Sequence, residues 1–376
     1  MNDESNVKPC CCSAPKAPSC GCASHPKPVR KRVIDDRLVT GWIDTAVGKI
    51  PRVSTQLRPA DKLGTLKIRL GIRRMTYNVD PGLYAVGHPG ADSSVFVTSN
   101  YKLSFDSLRK QLGGLNAWIL VLDTHGINVW CAAGKKKFST DEVVRRLDES
   151  GLGEIVTHRQ LILPQLGATG VAAHEVRRRS GFSVIYGPVR ASDIPDFLAA
   201  GMKATPQMRE VTFTMWERLK VVPVEVTQSG HILLAICLAF FLLSGLSRHG
   251  YAIDLSSGLD AVVNILLAYV AGTVLSPIFL PWLPGPSFSL KGAFAGALVF
   301  IISYLTGITE TATLQGIAWL LLMISVSSFL AMNFTGSSTF TSLSGVRKEM
   351  RVAVPLQIAA VSIGLILWIW GLFIKS

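Results

Sequence analysis

The residues best placed to do chemistry in this 376-residue chain lie in the run Asn128–Val129–Trp130–Cys131–Ala132–Ala133–Gly134–Lys135. A cysteine there is either an inert packing residue or, once deprotonated, a strong donor to a soft metal. The flanking sequence decides where it stands. An apolar run from Ala117 to Leu122 reads as a buried strand, closed by Asp123–Thr124–His125–Gly126. Ser139–Thr140–Asp141–Glu142 reads as a capping box opening an amphipathic helix through Val143, Val144 and Leu147. Cys131 therefore falls between a strand end and the next helix, where open α/β sheets place their ligands. Ala132, Ala133 and Gly134 leave room for a bulky planar partner to approach the backbone.

The surrounding stretch, residues 33–222, reads as one α/β domain. Leu66, Ile68, Leu70 and Ile72 alternate with Lys67, Arg69 and Gly71, which predicts a half-buried strand. Asp80–Pro81–Gly82 is expected to turn, and Val95–Phe96–Val97 to begin a strand leading to Thr98–Ser99–Asn100–Tyr101. Leu103, Phe105, Leu108 and Leu112 predict a helix stopped at Gly113–Gly114. A second strand covers Gln160–Leu163. The turn Gly167–Ala168–Thr169–Gly170 then leads into a helix ending before Gly181, and its free N–H groups would seat a phosphate. Phe182–Tyr186 is a third strand, and Ser192 is expected to cap a helix ending near Gly201. Strands alternating with helices predict a largely parallel, Rossmann-like sheet.

The eight-residue run at 128–135 resembles the signature of the mercury-methylating corrinoid proteins, in which it forms a short cap helix over the cobalt of a B12-type cofactor. Thr98–Phe105 and the cap segment also resemble the corrinoid-binding domain of the corrinoid iron–sulfur protein of acetyl-CoA synthesis. That relative has an alanine-type residue at the place of Cys131. The resemblance implies a cobalamin-type corrinoid lying against the sheet edge with its own base displaced from cobalt. It implies Cys131 as the cobalt ligand and catalytic residue. Thr98, Asn100, the residues Asn128, Val129, Trp130, Ala132, Ala133, Gly134 and Lys135, and Gly167, Ala168, Thr169 and Gly170 would surround the cofactor. A thiolate is a strong donor trans to a methyl group and favours its departure as a carbanion equivalent, which suits thiol-bound Hg(II) as acceptor and methylmercury as product. The implied partners are a small ferredoxin with two [4Fe–4S] clusters, because no separate iron–sulfur ligand set is evident here, and a methyl donor of the methyltetrahydrofolate type. His125, His158 and His174 are not in the Asp-x-His-x-x-Gly motif that ligates cobalt through histidine, and read as surface or satisfied side chains.

Residues 1–32 form a tail in which Cys10, Cys11, Cys12, Cys20 and Cys22 lie among prolines with almost no large apolar side chain, a composition expected to be disordered. No secretory signal is read, so a disulfide framework is not expected. The tail cysteines are either a capture site for a soft ion such as Hg(II) or have no required role. From residue 223 to 376 the chain changes solvent, with apolar spans near 229–247, 261–283, 291–309, 313–333 and 353–374. The expected fold is thus an α/β Rossmann-like corrinoid-binding domain followed by an all-α transmembrane domain of five helices. Only six Lys/Arg and four Asp/Glu lie beyond residue 226, so +11 of the net charge of +13 precedes it, and anionic lipid is a simpler partner than nucleic acid. Arg218 and Lys220 before the first span, with Arg347, Lys348 and Arg351 before the fifth, place the domain on the cytoplasmic side of the inner membrane. The spans carry no charge at mid-depth, which argues for an anchor or scaffold over a pump. Two further readings are a corrinoid methyl carrier for another acceptor, and a membrane metal-binding or resistance protein that works through the tail.

Overall fold

The computed structural model describes residues 38–309, 313–337 and 343–374. The tail cysteines at 10, 11, 12, 20 and 22 lie outside the described residues. The α/β part is a seven-stranded sheet built from β1 (Val39–Thr45), β2 (Gly48–Val53), β3 (Gly82–Val86), β4 (Val95–Ser99), β5 (Ala117–Leu122), β6 (Gln160–Leu163) and β7 (Ser183–Tyr186). Its order is β1-β2-β3-β5-β4-β6-β7. β4 pairs in parallel with β5 and β6, and β6 with β7, as the βα alternation leads one to expect. The other half departs from it. β1 and β2 form an antiparallel hairpin, and β3 runs antiparallel to β5, so the sheet is mixed.

All six side chains of β5 are buried, as suits a strand covered on both faces. One face packs Leu83, Val97, Trp118 and Leu120 with residues of the helices after β5 and β6. The other packs Tyr84, Phe96, Ile119 and Val121 with Phe105, Leu108 and Phe197. The helix over the second face, α2 (Lys102–Gln111), lies where its apolar spacing put it.

Residues 66–72 are not a strand. They belong to α1 (Pro59–Arg69) and the turn after it. Pro59 occupies the first turn, the Asp61 carboxylate accepts the Arg58 N–H at 3.1 Å, and the long side chains at 62, 63, 66 and 67 are good helix formers. What fixes the helix is Asp61. It meets Lys102 at 2.7 Å and Arg109 at 3.0 Å, and both of those also bond Asp106 at 2.7 Å. This buried quartet ties α1 to α2, and a strand could not deliver Asp61 and Ile68 to the same side. Gly82 likewise begins β3 rather than closing a turn. Ser192 donates to Asp193 instead of capping, and the helix there is only Ile194–Ala199.

Among the described residues, five helices are long and apolar enough to cross a membrane. They comprise Val222–Leu243, Leu255–Val270 (continued through a π turn, Ala271–Leu275, to Ile278), Phe288–Leu305, Thr313–Asn333 and Leu343–Ile374. Gly292 and Gly296 are where the third and fourth touch. A Cβ at Gly292 would lie 2.5 Å from the Ala331 Cβ, and one at Gly296 would lie 2.7 Å from the Met323 carbonyl oxygen.

Candidate functional site

The site is built at the C-terminal ends of β4 and β5. After β5 the chain turns through Asp123–Ile127, and Asn100, just past β4, organises that turn. Its buried Oδ1 accepts the N–H of Thr124 at 3.1 Å and of Gly126 at 2.9 Å, and lies 2.8 Å from the Thr124 hydroxyl. Glu142 supports the same turn from the far side, accepting the Asp123 N–H at 2.7 Å while pairing with Arg145 and Arg146. Ser139 accepts the Glu142 N–H, so one arm of the expected capping box forms. The other arm is replaced, because the Glu142 carboxylate points to Asp123.

The turn delivers a six-residue helix, α3 (Val129–Gly134). Asn128 is its N-cap, with Oδ1 accepting the Cys131 N–H at 2.8 Å. Val129, Ala132 and Ala133 are buried, whereas Trp130 and Gly134 are exposed and Cys131 is half-buried with a free thiol. The helix thus has two faces. Ala132 and Ala133 do not face outward as expected; they let α3 settle onto the domain. Gly134 alone supplies outward clearance, since a Cβ there would meet nothing within 4 Å. The chain leaves through Lys136 in the left-handed region (φ 56°), and the N–H groups of Lys137 and Phe138 return to the Ala132 carbonyl.

The glycine turn at 167–170 lies beneath this helix and is not a phosphate seat. The N–H groups of Gly167, Ala168, Gly170 and Val171 are all taken by carbonyls of residues 164–167. The glycines are needed for contact: a Cβ at Gly167 would lie 2.6 Å from the Phe138 ring, and one at Gly170 would lie 2.1 Å from the Phe138 carbonyl oxygen.

Beside α3 opens a cleft of about 750 Å³. Thr98, Asn128, Val129 and Trp130 line it together with Leu163 and residues 187–192 after β7, and Arg69, Lys110 and Arg190 stand on its wall. Cys131 is not part of this lining. It lies toward Tyr101, whose hydroxyl is pushed up by burial against the opposing pull of the neighbouring Arg74 guanidinium. Tyr101, Arg74 and Glu142 are contributors that sequence reasoning missed, since only the fold brings them to the cap. Lys135 closes α3 and is exposed. The histidines are otherwise engaged: His158 bonds the Ser93 carbonyl at 2.9 Å and receives the Gln160 N–H, while His125 and His174 are exposed. Among the described residues no group of three or more His, Cys, Asp or Glu could hold a metal ion.

Residues 62–198 match the family model described as CO dehydrogenase/acetyl-CoA synthase delta subunit. Curated relatives include the acetyl-CoA decarbonylase/synthase complex subunit gamma of Archaeoglobus fulgidus, 32% identical over 139 residues (36% of this chain and 29% of the relative). The same subunit of Methanopyrus kandleri is 31% identical over 127 residues, covering 33% and 27%. That of Methanothermobacter thermautotrophicus is 34% identical over 122 residues, covering 32% and 26%. The chain therefore spans under a third of the length of these relatives. The matched segment starts within α1, ends before the first long apolar helix, and contains α3 and the cleft residues from Thr65 to the 187–192 loop. Residues 62–198 are a domain related to the delta and gamma subunits of these complexes.

Proposed function

We propose that the chain is a corrinoid-dependent methyltransferase that passes a methyl group to inorganic Hg(II), with the thiolate of Cys131 as the protein ligand to cobalt. The observation that carries this reading is the free, half-exposed thiol on the outward face of α3, within the run that resembles the mercury-methylating signature. The residues fit a flat macrocycle: the face beside the sulfur is cleared by Gly134, and a cleft adjoins it at Thr98, Asn128 and Trp130. When bound, the corrinoid supplies a cobalt-borne methyl group, and thiolate ligation favours its release to an electrophile.

The chain's own contribution is positional. Asn128 holds the first turn of α3 through the Cys131 N–H, and Asn100 and Glu142 hold the turn that delivers it. Thr98, Trp130 and Lys135 would meet the cofactor's edge, and the basic wall of the cleft suits the phosphate of a corrinoid's nucleotide tail. A small ferredoxin with two [4Fe–4S] clusters would supply electrons, and a methyltetrahydrofolate-type donor the methyl group. The five apolar helices would anchor the domain on the cytoplasmic side of the inner membrane, as the basic residues at 218–220 and 347–351 favour. The relatives' place in acetyl-CoA decarbonylase/synthase complexes favours a second reading, a methyl carrier for another acceptor.

The test is anaerobic reconstitution of the full chain with cobalamin, followed by Hg(II). Binding should colour the protein, and Cys131→Ala should shift the Co(III) spectrum while methylmercury formation falls by orders of magnitude. An unchanged spectrum and wild-type yield in Cys131→Ala would overturn the ligand assignment. Methyl loss to a thiol but not to Hg(II) would favour the second reading.

A further inference from the structure

The amphipathicity of α1 runs opposite to that of a helix on a soluble domain. Its inward face carries Asp61, Thr65 and Ile68, and its outward face carries Leu63 and Leu66. Leu63 is 52% exposed, Leu66 54%, and Ile72 just beyond the helix 52%. These residues recur at helical spacing, so they form a stripe rather than scattered exceptions. Lys62, Lys67 and Arg73 flank the stripe, and none of them enters a salt bridge among the described residues, while Arg69 turns to the cleft. The one acid of α1, Asp61, is turned inward and paired. The outward surface of residues 59–73 is therefore apolar along its ridge and cationic along its sides.

Its position explains that pattern. A Cβ at Gly71 would lie 3.2 Å from the Thr227 hydroxyl oxygen and 3.5 Å from a Val224 methyl, so the end of α1 rests on the opening turns of the first long apolar helix. Leu66 is five residues away, about 7 Å along the axis at the helical rise. We infer that α1 is an interfacial helix. It lays Leu63, Leu66 and Ile72 into the headgroup boundary of an anionic leaflet, with Lys62, Lys67 and Arg73 against lipid phosphates. This rests on the reading that Val222–Leu243 enters a bilayer. The same segment reaches the site, since Arg69 lines the cleft beside Trp130 and Arg74 stands close enough to Tyr101 to act on its hydroxyl. Docking of α1 thus fixes the cap at a constant height over the membrane.

The experiment places a photoreactive diazirine side chain at Leu63 or Leu66 of the full chain in nanodiscs of phosphatidylcholine, with or without phosphatidylglycerol. Both positions are exposed, so the label disturbs no packing. His174, exposed on the far helix, serves as the aqueous control, and Leu238, exposed on the first long helix, reports the bilayer itself. Lipid adducts at 63, 66 and 238 but not at 174, several-fold more abundant at 63 and 66 with phosphatidylglycerol, are the expected result. Lipid capture at 238 with only water insertion, or only protein crosslinks, at 63 and 66 would overturn the proposal while leaving the membrane reading intact. Failure at 238 as well would remove the bilayer reading and the proposal with it.

Discussion

Replacing Asn100 with Ala separates two roles that sequence alone could not distinguish, cofactor contact and support of the turn. In the structure its carboxamide oxygen accepts two backbone N–H groups, of Thr124 and Gly126, and neither has another acceptor within the turn. Ala would leave both donors buried without a partner. Each lost bond is worth about 1–3 kcal/mol, so exchange of these two amides should accelerate about fivefold to 150-fold each. The assay is hydrogen exchange of the full chain in detergent or nanodiscs, read over peptides covering 118–134. Asn100→Asp is the companion, because it keeps the accepting oxygen and should preserve protection at 124 and 126. Its added charge faces Asp123 at 3.4 Å, so some loosening at 123 is expected. Unchanged exchange at 124 and 126 in Asn100→Ala would refute the argument. Cofactor affinity should fall in step with the loosening, and loss of affinity without loosening would make Asn100 a direct contact instead.

Lys102→Met should destabilise the α/β domain by about 3–5 kcal/mol, since it leaves Asp61 and Asp106 buried with only Arg109 between them; thermal unfolding of the domain measures this, and a shift under a degree would contradict it. Burial raises the Asp61 carboxyl, but the Lys102 ammonium, the Arg58 N–H and Arg109 outweigh it and hold the group below its ordinary 3.8. The stability it contributes is therefore complete above that value and lost as pH falls through the lowered one, so a wild-type acid transition should become shallower in Asp61→Asn. Gly134→Leu should fold normally, because its side chain points into open space, yet should abolish retention of corrinoid colour on gel filtration; full retention would show that the cofactor does not use this face.

Much of this was legible because local and global signals agreed. The strands at 95–99, 117–122, 160–163 and 183–186 are runs bounded by turn residues; the first two are buried along their whole length, and the half-buried edge strand at 183–186 is still short and β-branched enough to leave no competing pattern. The α1 segment failed for a physical reason. Its leucines alternate with basic residues because the outward face is greasy, and a period of two over seven residues mimics a strand. The decisive contact, Asp61 with Lys102 and Arg109, spans more than forty positions and leaves no local mark. The glycine turn at 167–170 was visible, but its purpose was not. Glycines that admit an anion and glycines that admit the Phe138 ring look alike in sequence.

The placement of Cys131 follows from how α3 is held. A six-residue helix has too few internal hydrogen bonds to persist alone, so its neighbours must fix it. Every fixing found is on one side or at an end: the Asn128 cap, buried Val129, Ala132 and Ala133, the Lys137 and Phe138 N–H groups on Ala132, and the glycines beneath. None involves the Cys131 side chain. A packing cysteine would take the inward positions that the alanines hold, and exchanging it would disturb the settling of α3 on Gly170. The thiol instead stands where its removal leaves each of those contacts in place. Loss of chemistry in Cys131→Ala with unchanged exchange across 128–138 would therefore report the sulfur itself, whereas a change in both would return the residue to a structural role.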